Sequence, residues 1–291
     1  MTIGVNTNYA ALITQNQLAS TNKALTDSMQ KLSTGNRISS AKDDAAGLQI
    51  ASRLEAQSRG MEVASRNAQD AVSFLQVAEG ALDEVSSILY RMNDLALQAS
   101  NGTNGANDQA ALNQEFASLS EEMANILENS NYGGNNLFGA GGAISGGTID
   151  FQIGSTTAET LTFDVTNGGT STALGDLLTF VGTPGATGTG DITDAANAQA
   201  AVDAISGAGG VLENVGEVRA TFGATVNRLE HVTGNLANMQ EGVTMAKSRI
   251  MDTDFSKESM EMSKQQMLMQ SASQMLNTSK MVPQLAMSLI G

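Results

Sequence analysis

Apolar residues recur every seven positions through most of this sequence, and this spacing limits the possible folds more than any other feature. Two interleaved series run through residues 68–99: Ala68, Leu75, Leu82, Leu89, Ala96, and Ala71, Ala78, Val85, Met92, Ala99. A seven-residue repeat gives an α-helix one continuous apolar face, which is buried against another helix. The spacing predicts a helix of about 32 residues here, roughly 48 Å in length.

Two more inner helices follow from the same spacing. The glycines and asparagines of "SNGTNG" are typical of a helix end and a turn, and the next apolar residues repeat at sevens as Leu112, Leu119 and Ile126. A third helix of about 35 residues is predicted around residues 215–243. We expect the inner helices to pack through Leu75, Leu82, Leu89, Phe222, Leu229 and Leu236.

Both ends of the chain carry the repeat as well. The candidate interface residues are Leu18, Leu25 and Leu32 near the start, and Leu268, Met275, Val282 and Leu289 near the end. A second series beside the C-terminal one (Met262, Met269, Leu276) widens that apolar face, and a wide face favours more than one helical neighbour. Two interpretations stay open on the pattern alone: a bundle within one chain, and self-association through the chain ends.

Residues 139–192 interrupt the helical pattern with a segment rich in Gly, Thr and Ser. Within it, "TIDFQIG" and "LTFDV" alternate apolar and polar residues, which predicts the two strands of a small hairpin. The glycine runs lack the Gly-Lys-Ser/Thr of a phosphate-binding loop. We therefore interpret them as surface loop.

The charge balance argues against several classes of partner. With 15 Lys and Arg against 30 Asp and Glu, the net charge of −15 disfavours binding to nucleic acid or to anionic membrane. The sequence has no Cys, which excludes a disulfide scaffold, thiol catalysis and a thiolate metal site. The start lacks the features of a Sec signal peptide, and no apolar run approaches the roughly 20 residues of a membrane span. We expect no membrane insertion.

Candidate catalytic residues are few. The single histidine, His231, has no second histidine with which to bind zinc and no context for activating a nucleophile. Two pairs of nearby carboxylates are predicted to cap helices or to form ion pairs with basic neighbours: Asp43 with Asp44, and Asp252 with Asp254. We therefore predict that the chain is not an enzyme, with no catalytic site, no cofactor and no metal.

Several stretches of the sequence are similar to those of one known protein family. The stretch "KLSTGNRISSAKDDAAGLQIASRL" at 31–54 resembles the N-terminal signature of the bacterial flagellin family, where a short turn joins two helices. The opening "IGVNTNYAALITQNQL", the stretch "NRLEHVTGNLANMQEGVTMAKSRIMDTDF" at 227–255 and the closing "QMLMQSASQMLNTSKMVPQLAMSLI" are similar to family sequences too. The matches cover about residues 1–140 and 210–291, in order and at the corresponding ends.

The resemblance implies a mainly α fold, in which long antiparallel coiled-coil helices from both chain ends are combined with a small β-hairpin region in the middle. It divides the chain into an N-terminal coiled-coil part (1–44), the N-terminal helical part of a second domain (45–138), a hairpin with a reduced variable region (139–195), the C-terminal helix of the second domain (196–250) and a C-terminal coiled-coil part (251–291). The short middle segment predicts a flagellin with little beyond its two inner domains.

The implied function is that of a structural subunit that polymerises into the bacterial flagellar filament for swimming motility. Both ends are expected to fold on assembly and to line the filament core, outside the cell, after export without a cleaved signal peptide. The implied partners are further copies of the chain, an export chaperone, the flagellar type III export apparatus, and cap and hook-junction proteins.

The resemblance also implies a vertebrate Toll-like innate receptor as a partner, with contacts at Arg91, Leu95 and Glu115. Asn93 and Asp94 depart from the residues that are usual in the family at this site, which weakens the expected recognition. Contacts between subunits are the alternative role for Arg91 and Glu115.

Three alternatives fit the sequence less well. A hook–filament junction protein has flagellin-like ends, but "STGNRISSAKDDAAGL" and the closing "PQLAMSLI" favour flagellin proper. A membrane-active amphipathic protein would carry more Lys and Arg beside its terminal apolar faces. An enzymatic insert would need a longer middle segment and metal-binding residues, which residues 139–192 do not offer.

Overall fold

The computed structural model describes residues 8–139, 141–145, 147–164, 175–180 and 191–290, with side chains as far as Met281. The helices are α1 (Tyr9–Thr34), α2 (Ala45–Ala99), α3 (Ala106–Asn129), α4 (Ala195–Ser206), α5 (Val211–Met251) and α6 (Phe255–Ile290). A further helical segment lies at 175–180. The strands β1 (Asn131–Tyr132) and β2 (Asn135–Asn136) form one antiparallel hairpin, and β3 (Thr148–Gln152) and β4 (Thr160–Asp164) form another. The predicted fold class is confirmed.

Helix α2 is longer than the repeat had predicted. We expected a helix from residue 68, whereas α2 begins at Ala45 and has 55 residues. The reason is that the seven-residue series continues upstream through Met61 and Leu54, so the same apolar face extends toward the helix start. The turn between α2 and α3 lies at "SNGTNG" as predicted, while α4 and the β1–β2 hairpin were not predicted.

Contacts between backbone positions divide the chain into two units. The terminal unit combines Met1–Ser58 with Glu241–Gly291, and the inner unit is Arg59–Gln240. The borders fall within α2 and α5. The resemblance had placed domain borders at residues 44 and 251, close to helix ends.

The inner unit has one continuous apolar core, to which α2, α3, α4, α5 and the hairpins contribute. The predicted packing residues Leu75, Leu82, Leu89, Phe222 and Leu229 are fully buried, and Leu236 is 6% exposed. On β4, Leu161 and Phe163 are buried, and the ring centroid of Phe163 lies 5.5 Å from that of Phe222. This contact holds the hairpin against α5.

In the terminal unit, α1 and α6 run antiparallel. Asn8 Nδ2 donates to the Ser279 carbonyl oxygen at 2.8 Å, and at the opposite end the Thr253 amide donates to the Gly35 carbonyl oxygen at 2.9 Å. Gly35 ends α1 with a φ of +70°, a left-handed conformation that glycine adopts without steric cost. The antiparallel arrangement brings the start of α1 next to the later turns of α6.

Candidate assembly surfaces

The first surface is the seam along which α1 and α6 pack. On both helices the less exposed positions follow a seven-residue repeat: Ala11, Thr14, Leu18, Thr21, Leu25, Ser28 and Leu32 on α1, and Met262, Gln265, Met269, Ala272, Leu276 and Ser279 on α6. Among these, only Thr21, Leu25 and Ser28 are buried. Small or polar side chains occupy about half of the seam, so it removes little apolar surface from water.

The second surface is the outward face of α6, which we define as Met260, Met267, Leu268, Met275 and Met281. Met260, Met267 and Met281 occupy the position of the repeat opposite the seam and are 66%, 63% and 55% exposed. Met275 and Leu268 adjoin them at 69% and 44% exposure. A helix that packs against one partner normally carries polar residues on its far side. The outward face therefore has the composition of a second contact surface.

The outward side of α1 is different. It is mostly polar, but three apolar residues at its start are exposed: Tyr9 at 73%, Leu12 at 51% and Ile13 at 52%. Because Asn8 contacts Ser279, these three residues lie at the same end of the helix pair as Met275 and Met281. Exposed apolar residues of both helices thus occur at this end, while Phe255 and Met260 are exposed at the opposite end of α6.

The structure distributes the predicted interface residues over both surfaces. Leu18, Leu25 and Leu32 lie in the seam, whereas Leu268 and Met275 lie on the outward face. Val282 and Leu289 lie beyond the side chains that the structure describes. Met260, Met267 and Met281 were not among the predicted interface residues, although their spacing by seven and fourteen residues would have revealed them.

The turn between α1 and α2 is fixed by carboxylates. Asp43 Oδ2 accepts hydrogen bonds from the Ser39 amide at 3.1 Å and from the Ser40 amide and hydroxyl at 3.0 Å. These bonds, led by that from the Ser39 amide, hold the pKa of Asp43 below its ordinary value. Asp44 Oδ1 accepts from the Gly47 amide at 2.8 Å at the start of α2.

The start of α6 is capped in the same way. Asp254 Oδ1 accepts from the Ser256 and Lys257 amides at 3.0 and 3.1 Å. The predicted helix-capping role is therefore confirmed for Asp44 and Asp254. Across the two chain segments, Arg37 Nη2 donates to the Ile250 carbonyl oxygen at 2.8 Å, which ties this corner of the terminal unit together.

The third surface lies on the inner unit, around an exposed ion pair between α2 and α3. Arg91 on α2 donates to Glu115 Oε1 on α3 through Nε at 3.0 Å and Nη2 at 2.6 Å. The side chains are 54% and 46% exposed, so both remain accessible to solvent. Leu95, which the resemblance grouped with them, is buried at 1% exposure and packs in the inner core.

Within the described residues, no group of His, Asp and Glu side chains is arranged to hold a metal ion. Over the same residues, no helix combines the length and the apolar character needed to cross a bilayer.

Comparison with known proteins matches both ends of the chain. The bacterial flagellin N-terminal helical region matches residues 5–141, and the bacterial flagellin C-terminal helical region matches residues 205–290. Flagellin A of Vibrio cholerae serotype O1 is 38% identical over 385 residues, covering 100% of both chains. The chain belongs to the bacterial flagellin family.

Further relatives agree with this membership. The flagellin of Halalkalibacterium halodurans is 42% identical over 262 residues, which is 90% of this flagellin and 90% of that one. Among solved structures, a protein described as flagellar hook-associated, from Vibrio parahaemolyticus, has a TM-score of 0.54. It covers 72% of this chain and 100% of its own at 18% identity, so it shows a shared fold alone. As a flagellin, the chain is a structural subunit of the extracellular flagellar filament.

Proposed function

We propose that the terminal unit folds fully only when the subunit joins the filament, and that the outward face of α6 is then buried between copies. The contrast in burial between the two units carries this proposal. In the described parts of the terminal unit, the buried hydrophobic residues are Leu25, Ile38 and Ala51, whereas the inner unit has an extended core. Helices with so little tertiary packing are marginal in water.

Burial of the outward face would supply the missing stabilisation. Full burial of a Leu or Met side chain contributes about 1.5–3 kcal/mol. Since its five residues are 44–69% exposed, burying them offers roughly 5–9 kcal/mol per subunit. This equals a large part of the free energy that stabilises a typical domain. The net charge of −15 opposes association, and salt reduces that repulsion.

Polar substitutions on the outward face test the proposal. A Met267→Gln/Met275→Gln variant should polymerise far less than the unchanged chain at high salt, measured by sedimentation and negative-stain microscopy. The matched control is Met239→Gln/Met245→Gln, which makes the same chemical change at 41% and 51% exposed positions of α5 and should leave polymerisation intact. Equal polymerisation of both variants would contradict burial of the outward face.

Removal of both terminal helices gives a second test. A chain without residues 1–40 and 255–291 should keep the helical inner unit but form no filaments. If the trimmed chain polymerises like the full one, the terminal helices do not build the filament core.

We also propose that the subunit leaves the cell through the flagellar type III export apparatus with an export chaperone and without a cleaved signal peptide, and that it contacts cap and hook-junction proteins in the filament. The exposed outward face supports the proposal of a chaperone, because an apolar surface of this kind favours aggregation unless a partner binds it before assembly. Disrupting the export apparatus should retain the intact chain inside the cell. Continued secretion would contradict this route.

A second role rests on the exposed ion pair. We propose that Arg91 and Glu115 form the accessible part of a surface recognised by a vertebrate Toll-like receptor, while buried Leu95 acts only through the packing of α2. Arg91→Ala should weaken receptor binding of the monomer, and Arg228→Ala, at another exposed arginine of the inner unit, should not. Unchanged receptor binding of the Arg91 variant would contradict this proposal and favour the alternative, in which the ion pair contacts neighbouring subunits.

A further inference from the structure

The methionines of α6 fall into two sets with different access to solvent. Met262 and Met269 lie half-buried in the seam with α1. Met260, Met267, Met275 and Met281 lie on the outward face and are 55–69% exposed. By contrast, Met61, Met92 and Met123 in the inner unit are at most 1% exposed. Among the methionines whose side chains the structure describes, the most exposed ones are therefore concentrated on one face of one helix.

An exposed thioether reacts with peroxides by oxygen transfer. The sulfur attacks one peroxide oxygen, the O–O bond breaks, a sulfur–oxygen bond forms, and the other oxygen leaves as water with the two peroxide protons. The sulfur is oxidised by two electrons and the peroxide is reduced. The product, methionine sulfoxide, is polar and chiral, and methionine sulfoxide reductases return it to the thioether.

We propose that Met260, Met267, Met275 and Met281 form an oxidative modification site that controls whether a free subunit can assemble. This inference rests on the proposed burial of the outward face between copies. In the free subunit each sulfoxide is hydrated, so oxidation leaves the fold of the inner unit intact. At an interface the same group has to exchange water for an apolar surrounding, which opposes association.

The arrangement allows the modification before assembly and prevents it afterwards. Before assembly the four sulfur atoms are open to peroxide, and after assembly the neighbouring copies shield them. Leu268, which shares the outward face, cannot be oxidised in this way, so the sensitivity comes from the choice of Met at the other four positions. Met and Leu have similar volumes, and exchange between them is usually tolerated in packed sites.

The first measurement follows oxidation site by site. Full-length monomer would be treated with graded hydrogen peroxide, and the sulfoxide content of each methionine would be measured by peptide mass spectrometry. We expect the four outward methionines to react several-fold faster than Met61, Met92 and Met123. In preassembled filaments the outward methionines should react several-fold more slowly than in the monomer. Equal rates for all methionines in the monomer would overturn the site.

The second measurement follows polymerisation. Oxidised monomer should show a critical concentration at least about tenfold higher than untreated monomer, equivalent to about 1.4 kcal/mol. Treatment with a methionine sulfoxide reductase should restore it. A variant with Leu at all four outward positions should lose much less of its polymerisation on peroxide treatment than the unchanged chain, because it keeps only the methionines outside the outward face, such as Met262 and Met269 of the seam. The control variant, with Met29→Leu, Met239→Leu and Met245→Leu, should lose polymerisation on oxidation as the unchanged chain does.

The outcomes separate this inference from the function on which it rests. If Met267→Gln/Met275→Gln blocks polymerisation but the oxidised chain polymerises normally, the modification site is wrong and the proposed interface stands. If the glutamine variant polymerises normally, the proposed interface itself fails. If the four-leucine variant does not polymerise at all, the oxidised natural chain provides the test. Recovery of its polymerisation after reductase treatment supports the inference, and absence of recovery overturns it.

Discussion

Two leucine-to-alanine substitutions test whether the inner unit is stable in the free subunit while the terminal unit is stable only in the polymer. Leu82 is fully buried in the core of the inner unit, and Leu25 is the buried leucine of the seam at 8% exposure. If the terminal unit folds only on assembly, Leu82→Ala should destabilise the free subunit. Leu25→Ala should leave the free subunit unchanged and weaken the polymer instead.

The magnitudes follow from the packing at each site. Leu82 lies in a core where a cavity cannot collapse fully, so its truncation should cost about 3 kcal/mol. In a unit of this size that lowers the melting temperature by roughly 6–12 °C. Leu25 has small and polar neighbours such as Thr21 and Ser28 in its seam, which favours the low end of the range, about 2 kcal/mol. That loss would raise the critical concentration for polymerisation by about 30-fold.

Two assays on the same samples measure these effects. Calorimetry or circular dichroism of dilute subunits at low salt gives the melting temperature, and sedimentation at high salt gives the critical concentration. A melting temperature for Leu25→Ala that falls as far as that of Leu82→Ala would refute the reasoning, because the seam would then already be formed in the free subunit.

Three further predictions concern single positions. A Cβ added at Gly60 would lie 2.8 Å from Ser155 Cβ at the hairpin turn, so Gly60→Ala should lower the melting temperature of the subunit. A Cβ added at Gly80 on the same helix meets nothing within 4 Å, so Gly80→Ala should raise the free energy of unfolding by up to about 1 kcal/mol. Because the pKa of Asp43 is lowered in the folded turn, its carboxylate stabilises the turn above about pH 4, its ordinary range, and that contribution is lost as the pH falls through the folded-state pKa. Light scattering should therefore show a smaller loss of filaments on acidification in an Asp43→Asn variant, relative to its own neutral-pH level. Arg91→Ala breaks an exposed ion pair and should change the free energy of unfolding by less than about 1 kcal/mol in a denaturant titration.

The seven-residue repeat predicted most of the inner helices because each repeat reports one buried helix face. The buried series through Leu75, Leu82 and Leu89 is an example, and the alternation in "LTFDV" likewise matches the buried Leu161 and Phe163 of β4. The repeat was less informative about helix ends. The predicted helix began only at Ala68, although Met61 and Leu54 continue the same series through α2, and the short helix α4 within an alanine-rich stretch was not predicted.

The candidate surfaces were harder to predict because one helix carries two apolar series. Spacing alone assigned Leu25 and Met275 the same role, although the first lies in the seam and the second faces outward. Only the packing of α1 against α6 decides which series is covered within the subunit. The pairing of Arg91 with Glu115 depends on the distance between α2 and α3, which their separation of 24 positions in sequence does not fix.

The relation between the two series on α6 explains why this helix suits a polymer rather than a closed helix pair. If only Met262, Met269 and Leu276 were apolar, packing against α1 would bury the whole apolar face, and a polar far side would keep subunits apart. Met260 and Met267 precede two of these seam positions by two residues, which turns them to the opposite side of the helix. The helix then needs a second apolar neighbour, and a further copy of the chain can provide one. Because the seam itself contributes little stability, occupation of the outward face and ordering of the seam should occur together, which is why Leu25→Ala is expected to act on the polymer.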